Sequence, residues 1–415
     1  MTENITAPNT SKARFHYAWF IVGSGVLVMF SCLGLARFSF GMLLPAMSEA
    51  LDLTYGQRGY IGTGYFIGYL LMVALAPALA KRMGFRASIV LGLGLIAGTM
   101  ALLGLAGTYP LALVCYTFTG VGSGAANISM MALVSRWFAP SLRGTATGLV
   151  IAGNGLGIIF SGFLVPHVGH ASGPEGWRLS WMLLAGAVAL SCVLAGLVLR
   201  NSPSDKGLEM TGSHGRRTPP PTTAKGFSRQ DWSLLRRLGI IYFTFGVTYI
   251  IYGTFIVTTL IDEHGLSEAT AGRFWAWVGF FSLFSGPVFG WISDTFSRKI
   301  GLAAALAVQT AAYLLAGFDL GVSALYLSIG LYGLAAWSIP TVMLATIADR
   351  LGTHRAAAGF SIITFFFAVG QVVGPTAAGE LADLTGSFSI SYKLSACLTL
   401  VGIAVTATLT RNTRT

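Results

Sequence analysis

Charge is what this sequence has least of. Aspartate, glutamate, lysine and arginine make up 10% of its 415 residues, against roughly 25% in a water-soluble domain. So little charge argues against a solvated globular surface and suits a surface that faces lipid. Acids are the scarcer sign, 15 against 26 basic residues, and none stands in the middle of a long apolar run. The histidines (His16, His167, His170, His214, His264, His354) also fall in tails, loops or run ends. An embedded carboxylate or imidazole is the usual protein-borne proton relay, and a buried anion is what an organic cation needs. Their absence argues against both. Cysteine is scarce too: Cys32, Cys115, Cys192 and Cys397 stand singly in apolar runs, without a Cys-x-x-Cys pair or metal-ligand spacing, and read as buried thiols. With no metal motif and no nucleotide fingerprint, neither an enzyme nor a bound cofactor is expected.

What is present is apolar length. Hydrophobic residues are 54% of the chain and glycine contributes 53 positions, as where membrane helices pack closely or bend. Apolar runs long enough to cross a bilayer fall near 17–47, 59–79, 86–106, 109–134, 143–165 and 178–200, and again near 236–260, 271–293, 300–317, 322–346, 355–378 and 388–408. Lipid forbids unsatisfied backbone, so these runs are read as helices; they are too long and continuous for the alternating ten-residue segments of a β-barrel. The expectation is an all-α membrane protein with twelve transmembrane helices in two six-helix bundles. Residues 1–16 form an N-terminal tail, 17–200 and 236–408 the bundles, 201–235 a linker containing Pro219-Pro220-Pro221, and 409–415 a C-terminal tail. The first run is far longer than a signal-peptide core, so no cleavable signal is expected.

The net charge of +11 has a topological reading. With both termini cytoplasmic, 21 of the 26 basic residues fall on the inner side, and the outer ends carry mostly acids, among them Glu49, Asp52, Glu175, Asp262, Glu263, Glu268, Asp319, Glu380 and Asp383. This is the positive-inside pattern and not the footprint of a nucleic-acid partner. Basic residues of the linker can touch anionic lipid headgroups.

Two short basic turns occupy equivalent places in the halves: Lys81-Arg82-Met83-Gly84-Phe85-Arg86 and Gly290-Trp291-Ile292-Ser293-Asp294-Thr295-Phe296-Ser297-Arg298-Lys299. These turns resemble the cytoplasmic turns of the major facilitator superfamily, and the likeness covers almost the whole chain. Asp294 and Arg298 keep that pattern, whereas Lys81 takes the acidic place in the first turn. The stretches Gly34-Leu35-Ala36-Arg37-Phe38, Tyr249-Ile250-Ile251-Tyr252-Gly253, Phe274-Trp275-Ala276-Trp277 and Gly370-Gln371-Val372-Val373-Gly374-Pro375 resemble the bacterial YbfB/YjiJ-like group. More distantly, the chain resembles monocarboxylate and oxalate/formate carriers, although the arginine those carry in the span matching 271–293 has no counterpart near Gly286-Pro287. The resemblance implies a bacterial inner-membrane carrier that works as a monomer by alternating access.

Arg37 is the clearest candidate for function. It lies about twenty residues into the first run, too deep for easy snorkelling, and its guanidinium stays charged in nearly any site. It can hold an anion through a bidentate contact; a structural arginine bonded to carbonyls is the alternative. Tyr249, Tyr252, Trp337, Gln371, Asn154 and Asn127 are the polar or aromatic residues expected to share its cavity, each with a packing role as the alternative. Arg273, Asp294 and Arg298 are expected at the gates. The expected function is secondary active or facilitative transport of a small organic anion, a carboxylate, with a co-transported proton, a counter-anion in exchange or uncoupled diffusion all compatible. Efflux of amphipathic drugs or metabolites is the second reading.

Overall fold

The structure, a computed structural model, describes residues 16–212 and 226–409. Its helices are α1 Ala18–Ala50, α2 Tyr55–Gly104, α3 Tyr109–Trp137, α4 Pro140–Ser172, α5 Gly176–Val198, α6 Arg229–Thr258, α7 Glu268–Thr295, α8 Arg298–Gly317, α9 Val322–Ala335, α10 Ser338–Leu351, α11 Thr353–Thr385 and α12 Ser389–Ala407. Among the described residues, ten helical stretches are long and apolar enough to cross a membrane, so the chain is an all-α, multi-span membrane protein. Exposed Leu71, Leu75, Phe118, Phe163, Leu190, Leu197, Phe284 and Trp291 coat the helices, a surface suited to lipid.

Local chemistry sets where the helices begin and bend. Thr54 and Ser228 close capping boxes with Gln57 and Asp231, satisfying donors that a helix start leaves free. That box starts α6 at Arg229, two turns before its apolar run. The spans expected at 59–79 and 86–106 form one helical run interrupted at Gly84, which has φ 82° and ψ 163°. A left-handed φ favours glycine, and a side chain at 84 would strike Asn201, whose Oδ1 accepts from the Arg86 N–H at 2.9 Å. The span expected at 322–346 is likewise divided, at Trp337, into α9 and α10. The beginning of the expected linker is anchored: Thr211 donates its N–H to the Trp137 carbonyl, and Ala139 donates to the Thr211 carbonyl, each at 3.0 Å.

The first half of the chain meets the second along three seams. On the α1–α6 seam, a Cβ at Gly41 would come within 2.8 Å of the Gly253 carbonyl oxygen. On the α2–α11 seam, the Thr63 hydroxyl donates to the Val372 carbonyl at 2.9 Å. On the α4–α7 seam, Gly155 faces Gly279 and Gly162 faces Gly272. At the end bearing the 51–54 and 264–267 turns, here the acidic end, the halves are clasped. Arg58 pairs with Asp262 at 2.8 Å, the Gly56 N–H donates to Asp383 at 2.8 Å, and Tyr60 donates to Glu380. At the opposite, basic end the α4–α7 seam is open: side chains built at Gly144, Gly148 and Gly290 would meet nothing within 4 Å.

Candidate functional site

Midway along α1 the backbone widens into a π-helical segment, Phe30–Phe38. Such widening displaces carbonyls from their usual partners and often marks function. Here tyrosines from neighbouring helices donate to them: Tyr65 of α2 to the Cys32 carbonyl at 3.3 Å, and Tyr116 of α3 to the Arg37 carbonyl at 3.1 Å.

Arg37 leaves this segment among three ring faces. Its guanidinium carbon lies 5.1 Å from the Phe38 ring centre, 4.9 Å from that of Phe66 and 5.4 Å from that of Tyr249. Phe66 belongs to the first half of the chain and Tyr249 to the second, so the cation sits where the halves meet. Its Nε and Nη2 are buried without a hydrogen-bond partner among the described residues, while the residue as a whole is partly exposed. Ring faces attract a cation through their quadrupoles, but they leave its N–H donors unused. Buried donors on a charged group are normally paired, so Nε and Nη2 retain capacity for oxygen acceptors.

The second half supplies an aromatic wall. Phe38 contacts Tyr249, Trp275 and Trp337 at centroid distances of 6.3, 6.4 and 5.9 Å, and Tyr249 contacts Trp337 at 5.8 Å. The break between α9 and α10 positions Trp337, whose N–H donates to Ser285 of α7 at 2.9 Å. Tyr332 donates to the Tyr249 carbonyl at 2.8 Å and fixes that stretch of α6. The Tyr249 hydroxyl and the Trp275 indole N–H are buried without partners.

The other expected residues are distributed more widely. Asn154 is buried on α4, its Oδ1 without a partner, and its backbone carbonyl would lie 3.2 Å from a Cβ at Gly34 of the π segment. Gln371 is buried on α11 with Nε2 unpartnered. Asn127 donates to the Tyr69 hydroxyl at 2.7 Å and so ties α3 to α2. Tyr252 turns away from Arg37 into the second half, where its hydroxyl meets Ser328 at 2.7 Å and its ring stacks on Tyr332 at 4.1 Å. Arg273 is exposed at the acidic end and donates to Thr270 at 3.1 Å. Arg298 bridges Asp294 and Asp349, the latter at 2.7 Å; all three lie in the second half, so this contact does not join the halves. Phe38, Phe66, Trp275, Arg58 and Asp262 were not among the expected site residues. A cavity of about 640 Å³ at the acidic end, lined by Glu49, His170, Glu175, Arg178 and Glu268, contains none of those expected to bind.

A multi-span helical protein whose halves meet around a partly buried cation with two buried, unpartnered donors has the build of a membrane carrier, and its relatives agree. Residues 29–407 match the family described as "Uncharacterised MFS-type transporter YbfB", and the chain belongs to that family. It is 23% identical over 392 residues to the hexuronate transporter of Bacillus subtilis, covering 90% of this chain and 89% of that one. It is 22% identical to human monocarboxylate transporter 2, over 91% of this chain and 82% of that one. Among solved structures, a bacterial homolog of the human lysosomal transporter Spinster in an inward-facing and occupied conformation superposes with a TM-score of 0.74 at 14% identity, covering 95% of this chain and 97% of that one. The protein is therefore a transporter of the major facilitator type and not a catalytic enzyme.

Proposed function

We propose that this transporter carries a small organic anion, a carboxylate, by alternating access, with Arg37 as its anion contact. The observation that carries the reading is the pair of unpartnered, buried guanidinium donors on Arg37. A carboxylate accepts two parallel N–H bonds from one guanidinium, and the surrounding rings exclude the water that would weaken them. Tyr249, Trp275 and Gln371 add donors to the same wall or to the seam beside it; Asn154 offers an acceptor. Two relatives, a hexuronate and a monocarboxylate transporter, point to the same class of cargo.

In this reading the breaks at Gly84 and at Gly173–Glu175 are turns outside the membrane, which makes twelve crossings of the ten apolar stretches. Residues 17–200 and 236–408 then form two six-helix bundles that rock about Arg37, joined by 201–235. The basic end faces the cytoplasm of a bacterial inner membrane with both termini, tails 1–16 and 409–415, on that side. The clasped acidic end and open basic seam correspond to an inward-facing state. Co-transport of a proton, exchange for a counter-anion and facilitated diffusion are all compatible with this cycle, and a single chain is the working unit.

Uptake of radiolabelled carboxylates, short monocarboxylates beside hexuronates, into proteoliposomes tests the assignment. Removing one partner of a buried charge pair costs about 2–5 kcal/mol, so Arg37→Ala is expected to lower uptake at sub-saturating substrate by roughly thirtyfold or more. Uptake by Arg37→Ala equal to wild type would remove Arg37 from the site and the anion from the proposal.

A further inference from the structure

We propose that the cleft between the basic ends of α6 and α11 binds the headgroup of an anionic phospholipid. The cleft encloses about 490 Å³ and is lined by Arg229, Trp232, Ser233, Leu235, Arg236, Ile362 and Phe366. Arg229 and Arg236 are two helical turns apart on α6 with Trp232 and Ser233 between them, so these four residues share one face. Both arginines are exposed. The neighbouring Asp231 is already paired with Arg355 at 2.7 Å; no carboxylate among the described residues is bonded to Arg229 or Arg236. Two exposed guanidinium groups lining one cleft without a bonded carboxylate suit a phosphate by charge and by donor chemistry.

The floor of the cleft favours a lipid over a soluble phosphate. Gly239 has no side chain, and a Cβ there would lie 2.9 Å from the Phe366 ring. The ring therefore lies flat against α6. Farther along the same face come Ile240, 38% exposed, and partly exposed Phe243, with Phe365 exposed on α11. The surface is basic for two turns, with Trp232, 52% exposed, between the two arginines, and then apolar. A phosphodiester with acyl chains matches that order; a free anion would leave the apolar part bare. Indoles favour this depth of a bilayer.

Trp232 makes the site observable. Purified protein is titrated in mixed micelles with phosphatidylglycerol carrying brominated acyl chains, a quencher of nearby indoles, or with brominated phosphatidylcholine. Trp232→Phe supplies the subtraction that isolates the Trp232 signal. Two basic residues near the surface, each worth about 1 kcal/mol toward an anionic lipid, predict half-quenching at a roughly thirtyfold lower mole fraction of phosphatidylglycerol than of phosphatidylcholine. Arg229→Gln with Arg236→Gln is expected to abolish that preference, and Arg229→Lys with Arg236→Lys to keep most of it. Equal quenching of wild type by the two lipids overturns the proposal, as does an undiminished preference in the double glutamine variant. Inorganic phosphate that abolishes the preference assigns the cleft to a soluble anion and also overturns it. If the glutamine variant misfolds, the wild-type comparison of the two lipids still decides.

Discussion

A Cβ built at Gly155 would lie 3.0 Å from the carbonyl oxygen of Gly279, and one built at Gly279 would lie 2.7 Å from that of Gly155. This reciprocal contact joins α4 to α7, and one heptad farther toward the acidic end Gly162 meets Gly272 in the same way. The next step in the opposite direction pairs Gly148 with Gly286. A side chain at Gly148 would meet nothing within 4 Å, and one at Gly286 only the Thr341 hydroxyl at an ordinary 3.6 Å. The seam is closed along one half and open along the other, with glycine continuing through both. If the carrier closes its basic end, Gly148 and Gly286 are in register to meet. Gly286→Leu should therefore leave the thermal midpoint of the present conformation nearly unchanged while hindering the opposite one. Overpacking costs about 1–3 kcal/mol, so the population of that state and the uptake that passes through it should fall by roughly fivefold or more. Uptake at the wild-type rate would show that this seam does not close.

The clasp at the acidic end should set the balance between the same two conformations. Arg58 and Asp262, with side chains 13% and 29% exposed, join α2 to the segment Thr259–Glu263 that follows α6. The Arg58 guanidinium carbon also lies 4.6 Å from the Tyr55 ring centre. A part-buried pair of this kind contributes on the order of 1 kcal/mol. Asp262→Asn should shift the equilibrium about fivefold toward states open at the acidic end. Spin labels on the 51–54 and 264–267 turns would report a longer-distance population. An unchanged distance distribution would mean that the Gly56–Asp383 and Tyr60–Glu380 contacts hold this end without the ion pair.

Arg298 presents the opposite case. Its side chain is 30% exposed and its partners Asp294 and Asp349 are 67% and 40% exposed, so solvent screens both pairs and each contributes about 1 kcal/mol or less. Both join elements of the second half only. Asp349→Asn is expected to lower the thermal midpoint by a few degrees at most and to leave uptake unchanged. A large loss of uptake with the midpoint preserved would show that Asp349 has a role in another conformation.

The sequence made apolar length and charge placement readable because both are properties of local composition. It isolated Arg37 for the same reason: a guanidinium far from either end of an apolar run has few bland explanations. It could not separate Tyr249 from Tyr252. Residues three apart on a helix point about 60° apart, and α9 packs between those two directions, so Tyr249 faces Phe38 while Tyr252 stacks on Tyr332. Phe66 and Trp275 were equally hidden, because an aromatic at helical spacing looks the same whether it packs a core or faces a cation. The π segment at Phe30–Phe38 is set by tertiary contacts such as the tyrosine donors from α2 and α3. The pair of Arg58 with Asp262 was hidden because the two are distant in sequence.

Tyr249 offers the sharpest separation of binding from packing. Its ring lies beside Arg37 and Trp337, its carbonyl accepts from Tyr332, and its hydroxyl is buried without a partner. Tyr249→Phe keeps the ring and the backbone contact and removes only the hydroxyl. Since that hydroxyl bonds no other protein group, its loss should leave stability unchanged or slightly raised, unlike removal of one half of a formed bond. If the hydroxyl donates to the cargo, the lost bond weakens binding by about 1 kcal/mol, or roughly fivefold in the apparent KM for uptake. A raised KM with an unchanged thermal midpoint places the hydroxyl on the substrate. An unchanged KM confines Tyr249 to the ring contact with Arg37, and a lowered midpoint would reveal a protein partner formed in another conformation.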